Sequence, residues 1–293
     1  MVHRRAFLGA IAALAAEGLT PSVGHASTVL RDGLEAVPPI GSREAFIAWM
    51  RAYRGEDSRF LDARWARYQA LLDAGDLSDE RDKRAFLMTA RQEFVLKRDL
   101  DRAYDPTYLD IGFGMTISGP KVVARMTSAL AVPVGSNVLE IGTGSGYQAA
   151  YLANLTDKLR TIEIVRGLAE RTRQLFDGMA ERGYTDYGTI GTRYADGYYG
   201  WEEAAPFDRI IVTCGIDHIP PALLRQLKPG GVMVIPIGRA GRHHVLKITK
   251  EAGPDGTVRL TQSDVFQGQA VPFLPLTKLI NGAIVGTHSD FTS

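Results

Sequence analysis

A glycine-rich segment in the middle of the chain has the composition of a loop that holds a ligand against its backbone. Residues 140–146 read Glu-Ile-Gly-Thr-Gly-Ser-Gly and directly follow the apolar residues Val138 and Leu139. Glycine adopts positive φ angles and lets a ligand approach the main chain closely. The dinucleotide fingerprint requires a glycine at the sixth position of the loop, where this chain has Tyr147, and the Gly-Lys-Ser/Thr of a P-loop is absent. The segment therefore predicts a ligand loop of another kind, or alternatively a plain strand-to-helix turn.

Two acidic residues lie where the next strands are predicted to end. Glu163 follows Gly142 by 21 residues and ends a second apolar run. An acid at this spacing can accept hydrogen bonds from ribose hydroxyls. Asp196, followed by Gly197, lies where a third strand would end and could accept from an adenine amino group. The alternatives are an exposed carboxylate at a strand end for Glu163 and an ordinary Asp-Gly turn for Asp196.

Apolar runs alternate with helical patterns from residue 137 onward. We predict strands at residues 138–141, 161–164, 209–212, 232–235, 245–249 and 258–262. Helical segments follow the first two runs, through residues 155 and 182. Apolar runs with little alternation are typical of parallel strands that are covered on both faces. The pattern predicts a doubly wound α/β sheet with ligands bound at the carboxyl ends of its strands.

Composition excludes several classes of protein. Hydrophobic residues make up 45% of the 293 residues, charged residues make up 23%, and the formal net charge is +1. This balance is ordinary for a globular protein and provides no general attraction to nucleic acid. Cys214 is the only cysteine, so an internal disulfide cannot form. The six histidines show no ligand-like grouping, and we predict no metal site.

The first 90 residues differ from the rest. Arg4 and Arg5 precede a run of apolar and small residues at 6–16, which is shorter than the roughly 20 residues of a membrane span. With Ala26 at a cleavage position, residues 1–26 resemble a twin-arginine export signal, and the alternative is an amphipathic or disordered leader. Apolar residues at helical spacing predict a helical extension at residues 27–90. The third predicted unit is residues 91–293.

Several blocks of the third unit resemble the protein-L-isoaspartate O-methyltransferase family. The blocks are Ala103-Tyr104-Asp105, Thr116-Ile117-Ser118-Gly119-Pro120, residues 138–150, residues 205–213, residues 226–238 and Leu274-Pro275-Leu276-Thr277. The glycine loop is similar to motif I of many S-adenosylmethionine-dependent methyltransferases. Thr-Ile-Ser upstream of that loop is much more specific to this family.

The resemblance implies a Rossmann-like methyltransferase domain that binds S-adenosyl-L-methionine and methylates the free carboxylate of L-isoaspartyl residues in peptides or unfolded proteins. In this family the methyl ester then cyclises to a succinimide, which allows return to normal aspartate. Ser118 matches the family's active-site serine. The expected protein is a monomer without a stable membrane span. The positions expected to form the cofactor site are Thr116, Glu140, Gly142, Thr143, Gly144, Ser145, Gly146, Glu163, Asp196, Gly197 and Thr277.

Two departures from the family pattern keep other interpretations open. Met115 stands where the family often has glutamine, and Gly119 stands where it often has glutamine or alanine. They leave room for a methyltransferase of another carboxylate or of a small molecule, or for a catalytically weak module that only binds the cofactor. Ser118 could alternatively serve as the N-cap of a helix through Leu130, because serine at that position satisfies free backbone N–H groups. An exported enzyme would also have to obtain a cofactor that is made in the cytosol.

Overall fold

The computed structural model describes residues 37–253 and 257–288, so the predicted leader at residues 1–26 lies outside the described part. Three helices form the first element of the fold. They are α1 (Arg43–Arg54), α2 (Ser58–Asp73) and α3 (Glu80–Met88). The side chains of Ser42, Asp57 and Asp79 accept hydrogen bonds from the first backbone N–H groups of these helices. Such N-caps explain where each helix begins.

A small antiparallel hairpin and a helix connect these helices to the main sheet. Two short 3₁₀ helices come first, Arg91–Phe94 and Lys97–Arg102. The hairpin consists of β1 (Leu109–Gly112) and β2 (Met115–Ile117), and α4 (Pro120–Leu130) follows it. The hairpin therefore delivers the chain directly to Ser118 and then into α4.

Seven strands form the main sheet in the order β5-β4-β3-β6-β7-β8-β9. The strands are β3 (Asn137–Ile141), β4 (Lys158–Glu163), β5 (Gly191–Tyr194), β6 (Phe207–Val212), β7 (Leu227–Arg239), β8 (Arg242–Ala252) and β9 (Val258–Asp264). Strands β3 to β7 pair in parallel, and β8 runs antiparallel to both of its neighbours. The helices that follow β3, β4 and β6 are α5 (Tyr147–Ala153), α6 (Arg166–Glu181) and α7 (Pro221–Gln226). The predicted doubly wound α/β sheet is confirmed.

The strand order places a crevice at the carboxyl end of β3. Strand β3 lies between β4 and β6, so the chain leaves it first toward one edge of the sheet and later toward the other. Ligands of open α/β sheets bind at this kind of switch point. A last hairpin, β10 (Thr277–Ile280) and β11 (Ala283–Thr287), pairs only with itself within the described residues.

Two hydrophobic clusters cover the two faces of the sheet. Val138 belongs to one cluster and its neighbour Leu139 to the other, as alternation along a strand requires. Phe46 and Trp65 of the amino-terminal helices are buried in the first cluster. The helical extension therefore shares a core with the sheet and packs on the face that also carries α4, α5 and α6. Within the described ranges, we find no helix with the length and apolarity to cross a bilayer.

Candidate functional site

The glycine loop leaves β3 in a conformation that few other residues adopt. Gly142, Gly144 and Gly146 have φ angles of 95°, 54° and 90°. A Cβ atom on Gly142 would lie 2.4 Å from the Thr213 hydroxyl oxygen, which itself donates to the Gly142 carbonyl at 2.6 Å. Positive φ and this close approach both exclude larger residues at position 142. Gly142 and Gly144 therefore present backbone rather than side chains to the crevice.

Glu163 ends β4 directly beside the loop. Its Oε2 accepts from the Gly144 backbone N–H at 2.7 Å, and its Oε1 accepts from the N–H groups of Ile164 and Val165 at 3.0 and 2.9 Å. Burial raises the pKa of Glu163, and these three backbone hydrogen bonds oppose that rise. A carboxylate has about four acceptor positions, so one is left for a ligand hydroxyl. The geometry fits the predicted ribose contact.

Two adjoining cavities meet at the loop. Thr116, Gly142, Gly144 and Thr213 line both of them. The larger of the two encloses about 780 Å³, a volume that includes space open to solvent. Its wall includes Glu163, Gly197 and Thr277 together with apolar side chains of the segment before β10. The second cavity is lined by Thr143, Ser145 and Ser118.

Ser118 therefore faces the same space as the glycine loop. It is half-buried between β2 and α4, and its hydroxyl forms no hydrogen bond with any described residue. The N-cap of α4 is Gly119, which caps without a side chain, so the alternative interpretation of Ser118 as this helix's N-cap is wrong. The Ser118 hydroxyl is left available for a ligand in the cavity.

Gly119 has a local structural reason. A Cβ atom at this position would lie 3.2 Å from both the carbonyl carbon and the oxygen of Thr107. That spacing is tight for a side chain, and the obstacle is backbone that cannot swing aside. The departure from the family pattern at Gly119 thus accompanies a close passage of the Thr107 segment. Met115, the other departure, lines the larger cavity.

Two predicted site residues lie beneath the loop rather than in a cavity. Glu140 is fully buried and accepts from the Thr161 hydroxyl at 2.5 Å, and its Oε1 has no partner among the described residues. Burial raises the pKa of Glu140 to about 8. Gly146 begins α5, where a Cβ atom would lie 2.6 Å from the Thr172 side chain. Neither residue lines either cavity, so their part is to support the loop.

Asp196 turns away from the larger cavity, whereas its neighbour Gly197 lines it. The Asp196 carboxylate accepts from the Leu279 backbone N–H at 2.9 Å and lies within 3.0 Å of His288 Nε2. The His288 ring stacks on Tyr198 with ring centres 4.0 Å apart. The carboxyl-terminal hairpin thus provides two of the partners of this carboxylate, and the contact with an adenine amino group stays a prediction.

Some lining residues were missed from the sequence. Thr213 follows β6 at the switch point and holds the glycine loop through two carbonyl groups. Its position directly after a predicted strand was a usable signal. That this strand, β6, lies beside β3 is known only from the sheet order. Cys214 also lines the larger cavity, and burial raises the pKa of its thiol far above the ordinary range. In residues 37–253 and 257–288, no group of three metal-binding side chains occurs.

Comparison with known proteins places this architecture in a family. The family model for protein-L-isoaspartate(D-aspartate) O-methyltransferase matches residues 68–280. Protein-L-isoaspartate O-methyltransferase 2 of Polaromonas sp. is 45% identical over 199 residues, which cover 68% of this chain and 89% of the relative. An Anaeromyxobacter dehalogenans protein-L-isoaspartate O-methyltransferase is 47% identical over 204 residues, which cover 69% of this chain and 92% of the relative.

Solved structures agree with these relatives. A protein-L-isoaspartate O-methyltransferase structure superimposes with a TM-score of 0.60 at 27% identity, covering 72% of this chain and 65% of that chain. A Plasmodium falciparum structure described as the same enzyme, in complex with S-adenosyl-L-homocysteine, has a TM-score of 0.59 at 20% identity and shows the shared fold. It covers 72% of this chain and 96% of that chain. This chain belongs to the protein-L-isoaspartate(D-aspartate) O-methyltransferase family.

Proposed function

We propose that this protein transfers a methyl group from S-adenosyl-L-methionine to the free α-carboxylate of L-isoaspartyl residues in damaged peptides or unfolded proteins. The observation that carries the proposal is that Ser118 and the glycine loop line one cavity. Family membership supplies the reaction class. The cavity places the family's serine beside the loop that would hold the methyl donor.

The residues around the loop fit the cofactor. Gly142 and Gly144 leave open backbone on the cavity wall, and Glu163 keeps one acceptor position for a ribose hydroxyl. Thr116 and Thr277 add hydroxyl groups to the same wall. When bound there, S-adenosyl-L-methionine supplies a methyl group activated by a positively charged sulfur.

The acceptor needs orientation more than acid–base catalysis. A carboxyl group with a pKa of about 4 is already ionised at neutral pH, so no base has to remove a proton. Correct placement of the reacting atoms then supplies most of the rate. The unbonded hydroxyl of Ser118 donates to a carboxylate oxygen in this proposal and holds it in the cavity. Peptides that lack a free carboxylate at this position would not be methylated.

Substitution of Ser118 tests the assignment. In Ser118→Ala we expect methyl transfer to an isoaspartyl peptide to fall by about 10–100-fold, because an orienting hydrogen bond is lost. Affinity for S-adenosyl-L-homocysteine should stay within about threefold of wild type. A radiolabelled transfer assay measures methyl transfer, with the matching aspartyl peptide as a substrate control. Calorimetric titration measures the affinity for S-adenosyl-L-homocysteine.

Ser128→Ala provides the matched variant, since Ser128 lies on α4, the helix that follows Ser118, and outside both cavities. It should retain full activity. Equal loss of transfer and of cofactor affinity in Ser118→Ala would contradict the orienting role. Efficient methylation of the aspartyl control peptide would contradict the proposed acceptor.

We also propose that the protein acts outside the cytoplasm. The support is the paired Arg4 and Arg5 before a short apolar run. A fusion of residues 1–40 to a reporter that functions only after export should be active, and Arg4→Lys/Arg5→Lys should abolish that activity. Export of a folded protein would carry bound cofactor with it.

A further inference from the structure

We propose that Arg91 is a positioning residue that fixes the Ser118 segment and supplies the buried positive charge facing the acceptor carboxylate. The inference rests on the proposed function and deepens it. No motif in the sequence points to Arg91, which lies in a short 3₁₀ helix between the amino-terminal helices and the first hairpin.

The geometry of Arg91 ties it to the site. The side chain is fully buried, and its Nε donates to the Ala103 carbonyl at 2.6 Å. Its Nη2 donates to the Ser118 carbonyl at 2.7 Å. The guanidinium carbon lies 4.6 Å from the centre of the Tyr147 ring. Ser118 and Tyr147 both line the cavity, so Arg91 lies directly behind two parts of its wall.

The charge of Arg91 lacks an acidic partner. None of the carboxylates in the described residues lies within ion-pair distance of it, although burial of an unpaired cation is costly. Its Nη1 and the Tyr147 hydroxyl are both buried without a well-oriented hydrogen bond. Burial lowers the pKa of Arg91, and nearby Tyr147 and Tyr104 partly oppose this. A guanidinium nevertheless stays protonated at neutral pH.

Arg64 is a second buried arginine, and it has an acidic partner. It is equally buried, but it pairs with the carboxylate of Glu56 and donates to the Tyr104 hydroxyl at 2.7 Å. That hydroxyl in turn accepts from the Arg91 backbone N–H at 3.2 Å. The two arginines therefore belong to one buried network, and only the one behind the cavity is left without a counter-charge.

An acceptor carboxylate provides the missing counter-charge. A charge in a poorly polarisable interior acts over several ångströms, because little water screens it. A carboxylate in the cavity would be attracted by Arg91 without touching it, whereas a neutral analogue would not. The hydrogen bond to the Ser118 carbonyl also holds the peptide that carries the orienting hydroxyl. Charge and position can be separated by experiment.

The test measures peptide binding to the complex of the protein with S-adenosyl-L-homocysteine, because this product carries no sulfonium charge of its own. We compare an isoaspartyl peptide with its isoasparaginyl analogue, in which a carboxamide replaces the free α-carboxylate. In Arg91→Met the preference for the carboxylate should fall by about tenfold or more. Affinity for S-adenosyl-L-homocysteine should stay within about threefold of wild type.

Arg91→Lys keeps the charge but loses the forked hydrogen bonds. It should retain most of the preference for the carboxylate, and its kcat should fall by about tenfold because the Ser118 segment is less well held. Arg64→Lys, at an equally buried site, should lower the melting temperature and leave the preference unchanged. Should Arg91→Met prove too unstable to purify, the split between KM and kcat in Arg91→Lys still decides between charge and packing.

An unchanged carboxylate preference in Arg91→Met would overturn the inference. So would a loss in Arg91→Lys that is as large in carboxylate preference as in kcat. Failure of the wild-type protein to methylate isoaspartyl peptides would instead overturn the proposed function, and the two failures are therefore distinguishable.

Discussion

The two ends of the larger cavity use their acidic residues differently. At the end formed by the glycine loop, Glu163 binds backbone N–H groups within 19 residues of itself and keeps an acceptor position toward the cavity. At the end formed by the carboxyl-terminal hairpin, Asp196 accepts from the neighbouring Tyr198 backbone N–H and also binds Leu279 and His288, which are 83 and 92 residues away. Two acids at equivalent strand ends therefore have different partners.

The difference shows what strand position alone can specify. Glu163 ends β4, which pairs directly with β3, so its distance from the loop follows from the βαβ unit. Asp196 follows β5, and the hairpin β10–β11 lies against its carboxylate. Acidic residues at equivalent positions in the sheet can bind a ligand in the same way only when no distant segment forms hydrogen bonds with one of them.

Substitution of Gly142 should have the largest effect at the loop end. In Gly142→Ala the added Cβ would collide with Thr213, and an alanine at positive φ is strained by about 1–2 kcal/mol. We expect affinity for S-adenosyl-L-homocysteine to fall by about 100-fold or more in calorimetric titration.

Gly135→Ala is the matched control, because Gly135 also has positive φ but no atom within 4 Å of the added Cβ. It should lose stability and keep its affinity. Comparable affinity losses in the two variants would mean that strain, rather than the shape of the loop, causes the effect.

A pair of amide substitutions compares the two ends directly. Glu163→Gln removes a charge and one acceptor oxygen from three backbone N–H groups, and we expect affinity for S-adenosyl-L-homocysteine to fall by about tenfold. Asp196→Asn should change that affinity by about threefold or less. Its main consequence should be faster proteolysis near residues 277–288, because two contacts to the hairpin weaken. A larger affinity loss in Asp196→Asn than in Glu163→Gln would support the adenine contact predicted from the sequence.

The buried Glu140 predicts a pH dependence for the loop end. Burial raises its pKa to about 8, whereas the pKa of a glutamate in the unfolded chain is about 4.3. The folded state therefore retains a proton that the unfolded state loses, and stability falls as pH rises between these values. Relative to Glu140→Gln, the wild-type free energy of unfolding should fall by on the order of 1 kcal/mol per pH unit from pH 5 to 8. The same change of unfolding free energy with pH in wild type and Glu140→Gln would refute this. The exposed control Glu181→Gln should follow the wild type at every pH.

Most of the sheet was predictable from the sequence, and nine of the twelve predicted site residues line the two cavities. The predicted apolar runs all lie in observed strands except for the last residue of the second, Ile164, which follows β4. Ser118, Thr116, Gly197 and Thr277 line the cavities as expected. Glu140 and Gly146 support the loop instead, because the Glu140 side chain is fully buried and Gly146 lies against the Thr172 and Phe176 side chains. Thr213 and Arg91 were not predicted, since their roles depend on contacts with residues that are distant in the sequence.

By itself the sequence determined the alternation of strands and helices, the glycine loop and the acid one strand further on. These features depend on periodicity and on contacts inside one βαβ unit, which sequence spacing encodes. Only the tertiary structure decided that the hairpin forms hydrogen bonds with Asp196 and that Arg91 lies behind Ser118 without an acidic partner among the described residues. Both arise from segments far apart in the chain, and burial changes the energy of a charge far more than its local sequence does.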